Sequence, residues 1–185
     1  MNVRRANEAD SEAIAAVGRR AFSAAFSHLF TADVLQRYLE SEYSAAAVQR
    51  SLAEEGNYFW VAERGSVLGF IKLRGNYPHP QLHHSHTWQI EKLYVDTGET
   101  GCGCGTRLLV TGEAFLRTHQ CDCAWLLVYE NNHRATEFYL RHGYIEGGTD
   151  FIDVEAVRVP FRLMLKAPVV SLAGTDLRDD DGLPS

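Results

Sequence analysis

Four glycines, Gly98, Gly101, Gly103 and Gly105, fall between a strand-like run ending at Val95 and a helix-like run beginning near Thr106. Glycine admits φ > 0 and puts no Cβ between its N–H and a ligand. The first turn of a following helix presents unpaired N–H groups and a partial positive charge. Residue types in this order predict an anion-binding loop, and a phosphate is the anion that suits it.

Other phosphate loops fit less well. A nucleotide-triphosphate loop needs Gly-x4-Gly-Lys-Ser/Thr; Gly98 and Gly103 have the spacing, but Cys104 stands at the lysine position. A dinucleotide fingerprint begins at Gly101 and Gly103 but meets Thr106 where its third glycine belongs, although Glu130 could hold a ribose. Cys102-x-Cys104 and Cys121-x-Cys123 suggest zinc, yet one helix separates the pairs by roughly 25 Å, too far for a shared metal. Cys102 and Cys104 lie where a helix N-terminus lowers thiol pKa, so they are expected to be oxidation-sensitive. His79, His83, His84 and His86 read as a polar loop beside a cleft rather than as a metal site.

The elements that position these residues follow from periodicity. Val3 to Ala6 reads as a strand, and Asp10 as the N-cap of a helix over Ser11 to Ala25. Thr31 caps a second helix, and Ser44 caps a third that runs through Glu55. Tyr58–Glu63 and Val67–Arg74 form a hairpin through Arg64-Gly65-Ser66. Gly75 to Ser85 is a loop, and Thr87 to Val95 is a long strand. Thr106 to His119 is a helix, Ala124 to Tyr129 a buried strand, and His133 to His142 a helix capped by Asn132 and stopped by Gly143. Tyr144–Glu146 and Val157–Leu165 end the sheet. Strand 87–95, helix 106–119 and strand 124–129 make a right-handed β-α-β unit with parallel strands, and ligands gather at the carboxyl ends of such strands.

The chain has 185 residues and a formal net charge of −6. Asp176, Asp179, Asp180 and Asp181 against Arg178 place half of that charge in the last ten residues. One domain over 1–166 is expected, with 167–185 an acidic, disordered tail. This charge argues against a nucleic-acid partner. No stretch has the apolar length of a membrane helix, and no signal-peptide core is present, so a cytoplasmic protein with free thiols is expected.

A second motif narrows the reading. Asn132-x-x-Ala135-x-x-Phe138-Tyr139-x-x-x-Gly143-Tyr144 follows the glycine loop at the next strand-to-helix turn. Together, loop and helix resemble the GNAT superfamily of acyl-CoA-dependent N-acetyltransferases over about residues 3 to 166. The Ile90–Val95 strand, the Val128-Tyr129-Glu130-Asn131 run and Gly147-Gly148 look most like PaiA-type polyamine N-acetyltransferases. The resemblance implies an α/β (α+β) GNAT fold, a central mixed twisted sheet of about six to seven strands flanked by helices on both faces. It implies acetyl-CoA as co-substrate, no metal, and a small-molecule amine as acceptor, polyamine-like by subgroup. A homodimer is left open.

By the same resemblance Thr100, Gly101, Cys102, Gly103, Cys104, Gly105 and Thr106 cradle the pyrophosphate. Thr100 departs from the family's Arg/Gln: it has a hydroxyl but no long donor side chain for the phosphate. The pantetheine arm lies along Leu93, Tyr94 and Val95 like an added strand, with a backbone N–H there as oxyanion donor. Asn132 caps its helix and can also bond the CoA arm. Tyr139 is the candidate acid beside the sulfur. The acceptor amine, with a pKa of about 10.4, must lose a proton. Glu91 is the candidate base, because Gln89 occupies the place where many relatives carry glutamate; Glu130 is the alternative. Strand alternation puts Gln89, Glu91, Leu93 and Val95 on one face and Trp88, Ile90, Lys92 and Tyr94 on the other, unless a bulge intervenes. Glu40, Glu42, Glu54, Glu55, Glu91, Tyr38, Tyr43 and Trp88 are available to a polyamine. A non-catalytic acyl-CoA-binding protein is the rival reading, and aminoglycoside, amino-acid and peptide amines are rival acceptors.

Overall fold

The computed structural model describes residues 1–99 and 101–167. Thr100 and all but the first residue of the expected tail lie outside the described residues.

Among the described residues seven strands form one sheet, in the order β1-β2-β3-β4-β5-β7-β6. They are β1 (Asn2–Arg5), β2 (Asn57–Arg64), β3 (Ser66–Arg74), β4 (Thr87–Val95), β5 (Cys123–Tyr129), β6 (Ile145–Val154) and β7 (Val157–Lys166). Five α-helices accompany them among the described residues: α1 (Ser11–Phe26), α2 (Ala32–Tyr43), α3 (Ala45–Ala53), α4 (Cys104–Thr118) and α5 (His133–Arg141). No described helix is long and apolar enough to cross a membrane.

Helices cover both faces of the sheet. On one, Leu108, Leu109 and Leu116 of α4 and Tyr139 of α5 pack against Trp60, Ile71, Leu73, Ile90 and Leu126. On the other, Ile14, Val17 and Phe22 of α1, Leu39 and Tyr43 of α2 and Val48 of α3 pack against Phe59, Val61 and Phe70. Gly18 permits the α1–α2 contact, since a Cβ there would come within 2.3 Å of the Tyr43 ring.

Every neighbouring pair of strands is antiparallel except β4–β5, which is parallel as the β-α-β pattern predicts. That pairing is short: it runs from Thr87↔Cys123 to Gln89↔Trp125 and stops. Beyond it β4 continues to Val95 against β3, and β5 continues to Tyr129 against β7. The sheet therefore splits into a wedge at the carboxyl ends of β4 and β5.

Three local expectations are corrected. Asp10 holds the N-cap position of α1 as expected, but its side chain makes no cap bond there; it accepts from the Asn7 backbone N–H, completing a capping box on the preceding 3₁₀ turn, and from Arg4. The helix after the glycine loop starts at Cys104, two residues early, because Gly103 takes the left-handed N-cap position with φ +81°. The strand expected at Tyr144–Glu146 is instead Ile145–Val154, with Tyr144 in the core. Most of β6 is exposed on both faces, so it carries no hydrophobic alternation, and its register with β7 shifts between Glu146 and Gly148.

Candidate active site

The glycine loop leaves β4 through a 3₁₀ turn at Thr97–Glu99 and enters α4. Gly101 and Gly103 have φ of +89° and +81°, conformations that an L side chain adopts at a cost. A Cβ on Gly98, Gly101 or Gly103 would meet nothing within 4 Å, so the space above the loop is open. The first helical bond of α4 is from Arg107 N–H to the Gly103 carbonyl at 3.1 Å. The N–H groups of Cys104, Gly105 and Thr106 therefore carry no helical bond. These features fit a pyrophosphate.

The cysteines differ from expectation. Cys104 is buried, and burial pushes its thiol up to about 11, opposite to the expected lowering. Desolvation of the thiolate is the largest cause, and the nearby Cys102 and Glu99 add to it. Cys102 is exposed and donates from Sγ to the Glu99 carbonyl at 2.9 Å. Cys121 and Cys123 are buried at the far end of α4. The histidine loop serves packing through His79, which bonds Asp150 at 2.9 Å and meets the Trp125 ring edge-on.

At the apex of the wedge the β3–β4 register slips. Leu73 pairs with Ile90 and Lys72 with Lys92, which leaves Glu91 as the extra residue of a β-bulge. The expected alternation fails here. Trp88, Ile90, Leu93 and Val95 all pack toward α4, while Lys92 reaches Glu42 of α2 and Tyr94 joins the cluster under α1. Glu91 and Lys92 thus turn to the same side. Glu91 lies 2.9 Å from Lys72, 3.5 Å from Arg74 and 3.6 Å from Lys92. The Tyr94 hydroxyl lies 3.3 Å from that of Tyr43.

A cavity of about 510 Å³ opens on this side, between α2–α3 and strands β2–β4. Its lining includes Glu42, Tyr43, Glu54, Phe59, Phe70 and Glu91. That volume is in the range of small-molecule sites. Of the residues expected to meet a polyamine, Glu42, Tyr43, Glu54 and Glu91 reach it; Glu40, Glu55 and Tyr38 do not line it, and Trp88 packs on the opposite face against Phe115. Sequence reasoning missed Lys72 and Arg74, which also line it. Their signal was the alternation of β3, which places both with Phe70 on one face.

Tyr139 sits on the other side of the wedge, on α5, only 8% exposed and 5.4 Å ring-to-ring from Tyr144. Burial holds its phenol above the ordinary range. Among the described residues its hydroxyl has no hydrogen-bond partner. Asn132 caps α5 as expected, its Oδ1 accepting from Ala135 N–H at 3.1 Å. Glu130 is exposed at the end of β5. The Gln89 Oε1 is buried and has no hydrogen-bond partner among the described residues.

The structure thus has a parted β4–β5 pair, a glycine loop at its mouth and a tyrosine-bearing helix on its flank. The acetyltransferase (GNAT) family model matches residues 19–144, and the chain belongs to that family of N-acetyltransferases. An uncharacterized N-acetyltransferase in the pepI 3′ region of Lactobacillus delbrueckii subsp. lactis is 24% identical over 138 residues, 74% of this chain and 80% of that one. Among solved structures, the PaiA N-acetyltransferase of Thermoplasma acidophilum in complex with coenzyme A superposes with a TM-score of 0.74 at 17% identity, covering 90% of this chain and 98% of that one. A ribosomal-protein-alanine N-acetyltransferase from Brucella melitensis superposes with a TM-score of 0.65 at 21% identity, covering 91% and 100%. The PaiA likeness is thus one among several, and these likenesses carry the fold.

Proposed function

We propose that the protein transfers an acetyl group from acetyl-CoA to the primary amine of a small molecule by direct attack. The observation that carries this reading is the wedge. Its unpaired β4 edge from Glu91 to Val95 runs from the cavity to the glycine loop. Acetyl-CoA, when bound, supplies an activated acyl group as a thioester.

In this reading Gly101, Cys102, Gly103, Cys104, Gly105 and Thr106 hold the pyrophosphate, and the sequence motif adds Thr100. The backbone of Leu93, Tyr94 and Val95 pairs with the pantetheine arm and donates an N–H to the developing oxyanion. The Asn132 side-chain amide retains N–H donors for the same arm. Glu91 lines the cavity and takes the acceptor's proton, directly or through water. Tyr139, buried and kept protonated, delivers a proton toward the leaving sulfur.

The sequence resemblance favours a polyamine-like acceptor, and the carboxylates of Glu42, Glu54 and Glu91 on the cavity wall support it. Arg50, Lys72, Arg74 and Lys92 line the same cavity and favour a second reading, an acceptor with an anionic group.

The test is thiol release from acetyl-CoA across a panel of polyamines, amino acids, aminoglycosides and peptide amines, with calorimetric titration of acetyl-CoA alongside. Turnover with at least one amine is expected. Binding of acetyl-CoA without thiol release for any amine would favour the non-catalytic rival. Absence of binding would remove the reading altogether.

A further inference from the structure

The cavity wall carries four cations against three carboxylates. Glu42 is engaged by Lys92 at 2.9 Å, and Glu54 accepts from the Asn57 side chain at 2.9 Å. Glu91 is the ion-pair partner of Lys72 and Arg74, and it shares Lys92 with Glu42. One carboxylate therefore serves two further cations at the apex of the wedge. Lys72 is 7% exposed, so its ammonium is largely stripped of water. Arg74 reaches Glu91 only through Nε at 3.5 Å, an ion pair and not a hydrogen bond. Its guanidinium stacks on the Tyr77 ring at 3.8 Å, which fixes its plane. The terminal N–H groups of that fixed fork remain for a ligand, and a carboxylate is the partner that matches them in pairs.

We propose that the acceptor carries a carboxylate as well as its primary amine, a free amino acid, and that Arg74 with Lys72 holds the carboxylate while the amine faces the apex of the wedge. The inference rests on the acetyl-transfer reading and names its substrate class. A second ammonium, as on a polyamine, would enter a wall already in cationic excess. A carboxylate completes the charge that Glu91 leaves unbalanced.

The test pairs amino acids with the amines that lack only their carboxylates, and adds diamines and spermidine. Thiol release is measured for each with the full chain and with Arg74→Gln and Lys72→Met. At least one amino acid is expected to exceed its decarboxylated partner in kcat/KM by about tenfold or more, and Arg74→Gln to cut that ratio about tenfold. A polyamine that turns over best, or a ratio unmoved by Arg74→Gln, overturns the proposal. The same ligands are titrated calorimetrically against protein saturated with CoA. If no amine turns over but an amino acid binds and Arg74→Gln weakens it, the acceptor class stands and the acetyl-transfer reading falls. If no amino acid binds or turns over, the acceptor class is wrong.

Discussion

Lys72 and Glu91 meet at 2.9 Å across the one slip in the β3–β4 ladder, Lys72 from the regular strand and Glu91 from the bulged one. The slip has two effects. It breaks the alternation of β4, so that Glu91 and Lys92 turn to one side. It also sets a carboxylate beside the point where β4 parts from β5. Cavity wall and wedge thus meet at Glu91 and Lys92.

Glu91→Gln keeps the shape of that residue and removes its charge. Lys72, Arg74 and Lys92 then lose their shared counterion. We expect kcat/KM to fall by about 10²-fold or more, as for loss of a positioned base. Acetyl-CoA affinity should change by less than about threefold, because the glycine cradle is untouched. Steady-state kinetics with calorimetry separates the two. A kcat/KM within threefold of the parent would remove Glu91 as base and leave Glu130 or water.

What was legible in the sequence follows from which interactions are local. The glycine loop was legible because φ values of +89° and +81° restrict residue type at Gly101 and Gly103. The Thr31 and Ser44 caps were legible because each hydroxyl accepts from a backbone N–H three residues on. The facing of Glu91 was not, since the bulge arises from pairing with β3, 19 residues before it at Lys72. Asp10 stands at the N-cap as expected, but the direction of its side chain was not legible, because Arg4 of β1 and the Asn7 N–H engage it instead. Long-range charge on the cavity wall likewise appears only once β3 lies beside β4.

Tyr139→Phe deletes one hydroxyl that lacks a hydrogen-bond partner among the described residues. No bond among the described residues is lost, so the melting temperature should hold within about 2 °C, the shift expected of well under 1 kcal/mol. If the phenol protonates the leaving sulfur, kcat should fall by about 10²-fold while the acceptor KM moves little. Unchanged kcat would return Tyr139 to a packing role beside Phe138 and Tyr144.

Gly103→Ala tests the cradle. The space around a new Cβ is open, so strain comes from backbone conformation alone. The left-handed region costs an L residue about 1–2 kcal/mol. Thermal unfolding should show a loss of that order. Acetyl-CoA affinity should fall about tenfold or more if the loop relaxes and misdirects its N–H groups. Unfolding at the parent temperature with unchanged affinity would show that the loop does not depend on this glycine.

Asp10→Asn tests the anchor of β1 to the start of α1. Asp10 accepts from Arg4 at 2.7 and 2.8 Å and from the Asn7 N–H at 2.9 Å. The hydrogen bonds from Arg4, against the opposing cost of burial, hold its carboxyl below the ordinary value of 3.8. The folded chain therefore binds that proton less readily than the unfolded chain. The contact's stabilisation is present above pH about 3.8 and is lost as pH falls through the lower folded value. Asp10→Asn should cost about 1–3 kcal/mol at pH 7. The difference from the parent should shrink steadily below pH 4. Urea unfolding of both proteins between pH 3 and pH 7 reads this directly. A difference that stays constant across that range would mean that packing at Asp10, and not its charge, joins the strand to the helix.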